Sequence, residues 1–488
     1  MAEEWTKSHD VLFIGGEWVR STGTERIEVI SPWSEQVIGS VPSATRSDVD
    51  RAVAAARNAL DHGEWGRTSP EDRVEALRTV RTLLADRQDE FAALITEEMG
   101  SPISQSGPIQ VGVPLDILDS YIELAGTYPF REVRTSATRS ALVTREPVGV
   151  VAAIVPWNVP LTVAVIKLTP ALVAGCTVVL KPAPETPLSA YALASVFEQA
   201  GLPAGVVNVV PADRESSEYL VSHPQVDKVT FTGSTAVGRH IAALCGQNLK
   251  RSTLELGGKS AAIILDDADL DQTVEALRLG SLRNSGQVCS LKTRLLVSHR
   301  RHDEFIDRLK HLVESMPVGD PRDPATQIGP MVTARQQSAV ANYIDIGRSE
   351  GAVTVLGGPE TSYEHGWFVT PTVFTDVKPD MRIAQEEIFG PVLAVIPYDD
   401  ERTAIAVAND SAYGLNGSVF TTDLDHGLDV AAQIRTGTIE INGNSVGFHA
   451  PVGGFKASGI GREAGHEGIE AYVEPKSYGL PPAYAASL

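Results

Sequence analysis

With 488 residues, 43% of them hydrophobic and 21% charged, the chain has the composition of a globular protein and is long enough for two or three cores. Its 41 basic and 62 acidic residues give a formal charge of −21, which argues against nucleic acid or an anionic membrane as partner, since both need clustered Lys and Arg. Three cysteines are too few for a disulfide scaffold and fit a reducing compartment.

The N-terminal MAEEWTKSHD is acidic and polar, without the apolar core of a signal peptide. Apolar residues at helical spacing then predict amphipathic helices over 49–60 and 70–100, with Gly100 as the stop. The polar, alternating segment 127–144 reads as a protruding strand pair. From Val148 short apolar runs at 148–155, 176–180, 206–210, 228–231 and 261–265 alternate with helical segments, as parallel strands buried on both faces do. A second series follows at 293–297, 391–396, 417–420 and 437–441. Two successive α/β regions imply two lobes with a ligand crevice between them. The most apolar stretch, 161–180, is interrupted by Lys167, Pro170 and Gly175. A membrane span needs roughly 20 nearly uncharged residues, so the stretch reads as a buried helix and strand. A cytoplasmic protein with no membrane span is expected.

Two segments are candidates for holding phosphate or ribose. In FTGSTAVG, 231–238, a strand-like run ends at Gly233 and Ser234 where a helix begins, and helix N-termini bind anions through free N–H groups. The spacing is not G-x-G-x-x-G, so Ser234 is equally read as a plain helix cap. In KPAPETP, 181–187, Lys181 ends an apolar strand and can reach a ribose or phosphate; alone, it reads more simply as a solvated loop lysine.

Cys289 lies in the small, polar segment NSGQVCS, whereas Cys176 and Cys245 sit in apolar runs and read as small buried hydrophobes. Of the three, Cys289 has the setting a reactive thiolate needs, accessible and polar or electropositive. Glu255, in TLELGGK, is flanked by leucines. Burial would raise its pKa toward neutrality and suit it to general-base work, unless it forms a structural salt bridge, with Lys259 the nearest candidate. Asn158, between the prolines of PWNVP, is either an oxyanion donor or a turn residue.

Together these segments resemble the aldehyde dehydrogenase superfamily. PWN (156–158), KPAPETP (181–187), FTGSTAVG (231–238), LELGGK (254–259), GQVCS (286–290), EEIFGPV (386–392) and SGIGRE (458–463) occur in family order and cover essentially the whole chain. The resemblance implies an α/β fold. A Rossmann-like dinucleotide-binding domain would span 1–126 and 146–257, an α/β catalytic domain 258–466, and a small β oligomerisation extension 127–145 and 467–488. It implies that Cys289 attacks an aldehyde, that the Asn158 amide and the Cys289 N–H hold the oxyanion, and that Glu255 activates water to hydrolyse the thioester. Lys167 and Glu463 match positions tied to proton relay, although a structural ion pair is the plainer reading. In the cofactor site Ser234 would meet pyrophosphate, Lys181 the adenosine ribose and Glu387 the nicotinamide ribose. Phe389, Ile154, Trp157, Gly233, Val237 and Leu256 would stand around them. A small-molecule aldehyde is the implied partner, in a homodimer or homotetramer, and no metal is expected.

Two positions depart from the family pattern. NAD-preferring members often carry Glu three residues after the lysine; here Pro184 stands there and Glu185 follows, so NAD is expected with NADP as the alternative. Tunnel positions often aromatic in the family are aliphatic: Val159, Ile166, Val446 and Val452, with Val163 and Val288 beside them. A hydrophobic aldehyde (bulky aliphatic, terpenoid or aromatic) is therefore expected. A CoA-acylating enzyme is the alternative, which Glu255 argues against. A non-catalytic protein on the same fold would not need thiol, amide and base together.

Overall fold

The computed structural model describes residues 5–360 and 363–487. The first four residues of the N-terminal segment and Leu488, the last of the expected C-terminal extension, lie outside them.

Two parallel sheets organise the molecule. In the first, Val207–Val209, Thr177–Lys181, Val150–Ile154, Lys228–Thr232 and Arg251–Glu255 lie side by side, all parallel. Numbered by chain order these five run 3-2-1-4-5, the doubly wound arrangement whose order reverses beside the first strand. Antiparallel strands Val11–Ile14 and Glu17–Arg20 close one edge and Gly459–Ile460 the other. The second sheet runs Val353–Leu356, Thr372–Thr375, Val392–Tyr398, Lys292–Ser298, Ser260–Ile264, Gly417–Phe420 and Glu440–Ile441, parallel except for its first pair. The expected strand pair forms, Arg131–Thr135 with Ser140–Pro147, and Val473–Leu480 adds a third strand to it.

The stretch 161–180 becomes the helix Pro160–Ala174 and the strand Thr177–Lys181, every residue of both buried except Thr162. A helix apolar all round must be enclosed, and this one is covered by its neighbours Gly112–Ala125, Leu188–Gln199 and the sheet. It stops at Gly175, whose φ of +91° permits the left-handed cap, while an added Cβ would collide with the Arg73 guanidinium. Among the described residues no helix is long and apolar enough to cross a membrane.

The early chain differs from the helical texture read in the sequence. Four strands, Val11–Ile14, Glu17–Arg20, Arg26–Ile30 and Val37–Pro42, precede the first helix Arg46–Asp61. Glu17–Arg20, Arg26–Ile30 and Val37–Pro42 are short, edge-lying and interrupted by polar residues or glycine, whereas Val11–Ile14 is a largely buried apolar run of only four, paired on both sides. The stretch 70–100 divides into Pro70–Asp86 and Gln88–Met99 at Arg87, whose guanidinium is drawn to Glu90 (2.6 Å) and Ser195 (2.8 Å). Arg251–Glu255, Val353–Leu356 and Thr372–Thr375 are further strands the apolar pattern did not announce, and the 437–441 run shortens to Glu440–Ile441.

One buried carboxylate fastens a site-bearing loop to this frame. Glu98 accepts the Leu188 and Ser189 N–H groups at 2.9 and 3.1 Å, satisfying the first turn of the helix after the Lys181 loop. Burial pushes its pKa up to about 7 from an ordinary 4.5, against those hydrogen bonds. A raised folded-state pKa means the unfolded chain releases the proton first, so this group's contribution falls as pH rises between those values. Glu98→Gln should therefore gain thermal stability relative to the native protein between about pH 4.5 and 7; a melting-temperature difference constant across that window would refute the argument.

Candidate active site

The register of the first sheet gathers many of the singled-out residues at one edge. Ile154 stands beside Lys181 on one side and Phe231 on the other, and Thr232 stands beside Glu255. These are carboxyl ends of neighbouring parallel strands at the order reversal, where open α/β sheets bind ligands. The turn carrying Trp157 and Asn158 follows the first of these strands. Gly233 donates its N–H to the Glu255 carbonyl (3.0 Å), and Ser234 Oγ accepts the Val237 N–H (3.4 Å) at the start of the helix Thr235–Gln247. The capping role of Ser234 is thus present in the structure. Val237 is 47% exposed and Leu256 buried, packed under Gly238.

Lys181 is not a solvated loop lysine. It is buried, and burial lowers its pKa to about 8 against the carboxylates of Glu185 and Asp213. Pro184 is exposed, and Glu185 lies 3.8 Å from Arg335. Glu387 reaches in from the second lobe, its Oε1 accepting the Gly258 N–H at 3.0 Å. Burial pushes its carboxyl up to about 7, opposed by that N–H and by the Lys259 ammonium. Phe389, at φ +60°, sets its ring edge-to-face with Trp157 at 5.4 Å.

The thiol arrives on a constrained turn. Asn284, Ser285 and Gly286 have φ of 52°, 58° and 78°, a left-handed conformation that strains the first two. Long-range hydrogen bonds hold it: the Asn284 N–H donates to Gln105 Oε1 (2.8 Å), and Ser285 Oγ bonds Gly329 through both its N–H and its carbonyl, each at 2.9 Å. Gln287 Oε1 accepts the Val332 N–H at 3.0 Å. Asn158 is tied to the same turn twice, its Nδ2 donating to the Gln287 carbonyl (2.8 Å) and its carbonyl accepting from Asn284 Nδ2 (2.9 Å). Added Cβ atoms at Gly286 or Gly258 would overlap the Gly390 or Cys289 carbonyl.

Cys289 is half-buried, while Cys176 and Cys245 are buried as their apolar runs suggested. Its neighbourhood is polar, one of the two settings the sequence reading allowed, and carboxylates outweigh the one nearby cation, Arg283. Burial first, then the carboxylates of Glu387 and Glu255, push the thiol up to about 12, with Arg283 opposing. Those carboxylates come from distant segments, which no local reading could weigh. Glu255 Oε1 is buried without a hydrogen-bond partner among the described residues. Burial and the nearby Glu463 raise Glu255 well above the carboxylate range, against Lys167, Arg462 and the Gly454 N–H. Lys259 is not its salt-bridge partner; it faces Arg294, Glu387 and Glu386. Lys167, fully buried, instead pairs with Glu463 (2.6 Å) and donates to Thr230 Oγ1 (3.1 Å). The ion pair suggested from sequence therefore exists, and it lies beside Glu255.

Val159, Val163, Ile166 and Val452 pack on one hydrophobic cluster with Trp157 and Phe448. Val288 is half-buried, and Val446 is 38% exposed. Sequence reasoning missed Gln105, Gln110, Arg283, Phe448 and the holding roles of Asn284 and Gln287. Gln110, an amide in the otherwise apolar PIQVGVPL, is the one that left a signal.

A sequence profile described as the aldehyde dehydrogenase family matches residues 18–478. The chain belongs to the aldehyde dehydrogenase family. It is an enzyme, an oxidoreductase converting an aldehyde to the carboxylic acid. Geranial dehydrogenase of Castellaniella defragrans is 46% identical, over 97% of this chain and 99% of its own. An aldehyde dehydrogenase of Mycobacterium tuberculosis, solved with NAD+, superposes with a TM-score of 0.96 at 47% identity, covering 98% of this chain and 99% of that one. A variant aldehyde dehydrogenase from Pseudomonas syringae, solved with NAD+ and octanal, gives 0.93 at 40% identity and 96% of both chains.

With its thiol held neutral, the cofactor-free enzyme should react slowly with iodoacetamide at Cys289 near neutral pH. The rate should keep rising beyond pH 9, past where a free thiol of pKa about 8.5 levels off; a plateau near that value would mean an exposed, ordinary thiol.

Proposed function

We propose that the enzyme oxidises a hydrophobic aldehyde through a covalent thioester on Cys289, with NAD as oxidant and water as acyl acceptor. The observation that carries this reading is the meeting of three groups. The thiol turn is bonded to the Asn158 amide at 2.8 Å, and the buried Glu255 carboxyl has one oxygen without a hydrogen-bond partner among the described residues.

Cys289 Sγ attacks the aldehyde carbon, and its proton passes to the elevated carboxylate of Glu255. The resulting oxyanion takes hydrogen bonds from the second Asn158 Nδ2 hydrogen and the Cys289 N–H, each contributing on the order of 3 kcal/mol. When bound, a nicotinamide cofactor supplies the two-electron oxidant. Glu255 then removes a proton from water as the water attacks the thioester carbon, and the carboxylic acid leaves as the thiol is restored. Lys167 and Glu463 stand beside Glu255 and carry its proton onward.

The residues present fit a dinucleotide. Lys181 is a buried cation at a strand end with no carboxylate within ion-pair distance among the described residues, suited to a ribose or phosphate. Ser234 opens a 13-residue helix whose first turn is largely exposed, suited to pyrophosphate. Glu387 would meet the nicotinamide ribose with Phe389 alongside, and Ile154, Trp157, Gly233, Val237 and Leu256 would complete the walls. The negative charge of Glu185 near Lys181 favours NAD over a 2′-phosphate.

The aliphatic side chains of Val159, Val163, Ile166, Val288, Val446 and Val452 favour an apolar aldehyde, in keeping with the geranial and octanal named for the two relatives. We further assign the domains as 1–126 with 146–257, 258–466, and 127–145 with 467–488. The three-stranded sheet would serve a homodimer or homotetramer, and the enzyme would work in the cytoplasm.

An aldehyde panel read by NADH or NADPH absorbance should give higher kcat/KM for geranial or octanal with NAD than for succinic semialdehyde or for NADP. A tenfold preference for NADP, or for the semialdehyde, would overturn that half of the proposal. Cys289→Ala should abolish turnover. Glu255→Gln should slow the NADH burst and steady turnover together, and both should lose the limb that rises with pH as the base ionises. Normal turnover in Glu255→Gln would remove the base from Glu255.

A further inference from the structure

The segment Ser106–Val111 is a π-helical turn set between the helices Ile103–Gln105 and Gly112–Ala125. Pro108 has no N–H to give to an α-type bond, and the Gly112 N–H reaches five residues back, to the Gly107 carbonyl. In an α-helix, residues five apart point roughly 140° away from each other at 3.6 residues per turn. Hydrogen bonds of the i→i+5 kind instead bring such residues onto one face. Gln105 and Gln110 are such a pair, 6% and 1% exposed, and both reach the active-site loops.

Gln105 accepts the Asn284 N–H and donates to the Gln327 carbonyl at 2.7 Å, bracing the thiol turn. Gln110 Nε2 donates to the Asn158 carbonyl at 3.2 Å, the same oxygen that Asn284 Nδ2 reaches at 2.9 Å. Two amides, one from the π-turn and one from the thiol turn, thus occupy both lone pairs of one carbonyl. With its backbone held from both sides, Asn158 can send its own amide to the Gln287 carbonyl. Gln110 Oε1 and Asn284 Oδ1 are buried and have no hydrogen-bond partner among the described residues, so neither amide is kept in place by its acceptor atom. The shared bond to Asn158 is what each side chain makes.

We propose that Gln110 is a positioning residue for the oxidation, delivered by the π-turn to the Asn158 carbonyl so that the Asn158 amide points at the developing oxyanion. This rests on Asn158 being the oxyanion donor. A misplacement of about 1 Å at a reacting group can lower a rate on the order of 100-fold. A lost holding bond should therefore appear in the acylation step and not in cofactor binding.

Stopped-flow measurement of the first-turnover NADH burst, with octanal as the probe and saturating NAD, tests this in a double-mutant cycle. Gln110→Met should slow the burst by about tenfold or more, within that range, and leave the KM for NAD within twofold. Asn158→Ala should slow it further, and adding Gln110→Met to Asn158→Ala should then change nothing, because no amide remains to aim. Multiplying losses in the double variant, or an unchanged burst in Gln110→Met, would overturn the role of Gln110 while leaving Asn158 in place. An unchanged burst in Asn158→Ala would bring down the donor reading and this proposal together. Gln110→Glu guards against loss of folding in the Met variant. Its acid form can donate to the Asn158 carbonyl and its carboxylate cannot, so its burst rate relative to the native enzyme should recover as pH falls. A deficit independent of pH would refute the proposal.

Discussion

The chain enters Cys289 through three consecutive left-handed residues, and only Gly286 takes that conformation without strain. For Asn284 and Ser285 such a backbone costs roughly 1–3 kcal/mol each, so it survives only where the surroundings over-determine it. Here they do. Gln105, Asn158 and the loop carrying Gly329 and Val332 bond the turn from three separate segments. Two close backbone approaches, over Gly286 and Gly258, leave no room for a side chain. Placing the thiol is thus a collective property of both lobes, and the strain is held by bonds whose partners are also the site's other parts.

Burial does the second job. A dry site moves every ionisable group toward its neutral form, lowering the lysines and raising the acids. Lys181 near 8, Lys259 near 7 and Glu387 near 7 all follow that rule, and Glu255 is lifted well out of the carboxylate range. Groups that would be fixed in charge on the surface become exchangeable near neutral pH, which general acid–base work requires. The thiol follows the same rule to about 12, burial first and the carboxylates of Glu387 and Glu255 adding more than Arg283 offsets. A nucleophile so protected is unreactive until a base takes its proton, which limits stray alkylation and makes the proposed pairing with Glu255 the gate to reaction.

What could be read from the sequence divides along the same physics. Most internal strands announced themselves because both faces are buried, though Arg251–Glu255 and Thr372–Thr375, with polar residues in their runs, did not, and the lone thiol in a polar segment stood out against two in apolar runs. Glu255 between leucines and Asn158 between prolines were legible for the same reason: a polar group in a setting that would otherwise exclude it. The edge strands of the first 42 residues were not, since a half-exposed strand has no apolar run to betray it. Nor was the sign of the potential at Cys289, which depends on Glu387 and Glu255 arriving from elsewhere in the chain. Gln105 and Gln110 contact the site across 179 and 48 residues, and their common face exists only in a π-turn. Pro108 hints at a break there, but not at what the break delivers.

The passage between the sheets shows why one short segment carries so much. A strand of the first sheet ends at Glu255 and a strand of the second begins at Ser260, so four residues, Leu256–Lys259, cross from lobe to lobe. Within them the Gly258 N–H holds Glu387, and a Cβ on Gly257 would overlap that same carboxylate. A Cβ on Gly258 would overlap the Cys289 carbonyl. The proposed base, the proposed ribose carboxylate and the nucleophile are therefore registered against one another through four residues and two missing side chains. A relative movement of the lobes that bends this segment would shift all three groups at once. The two glycines are fixed by packing as tightly as the thiol is by strain, and for the same end: the reacting atoms of two lobes keep a single geometry.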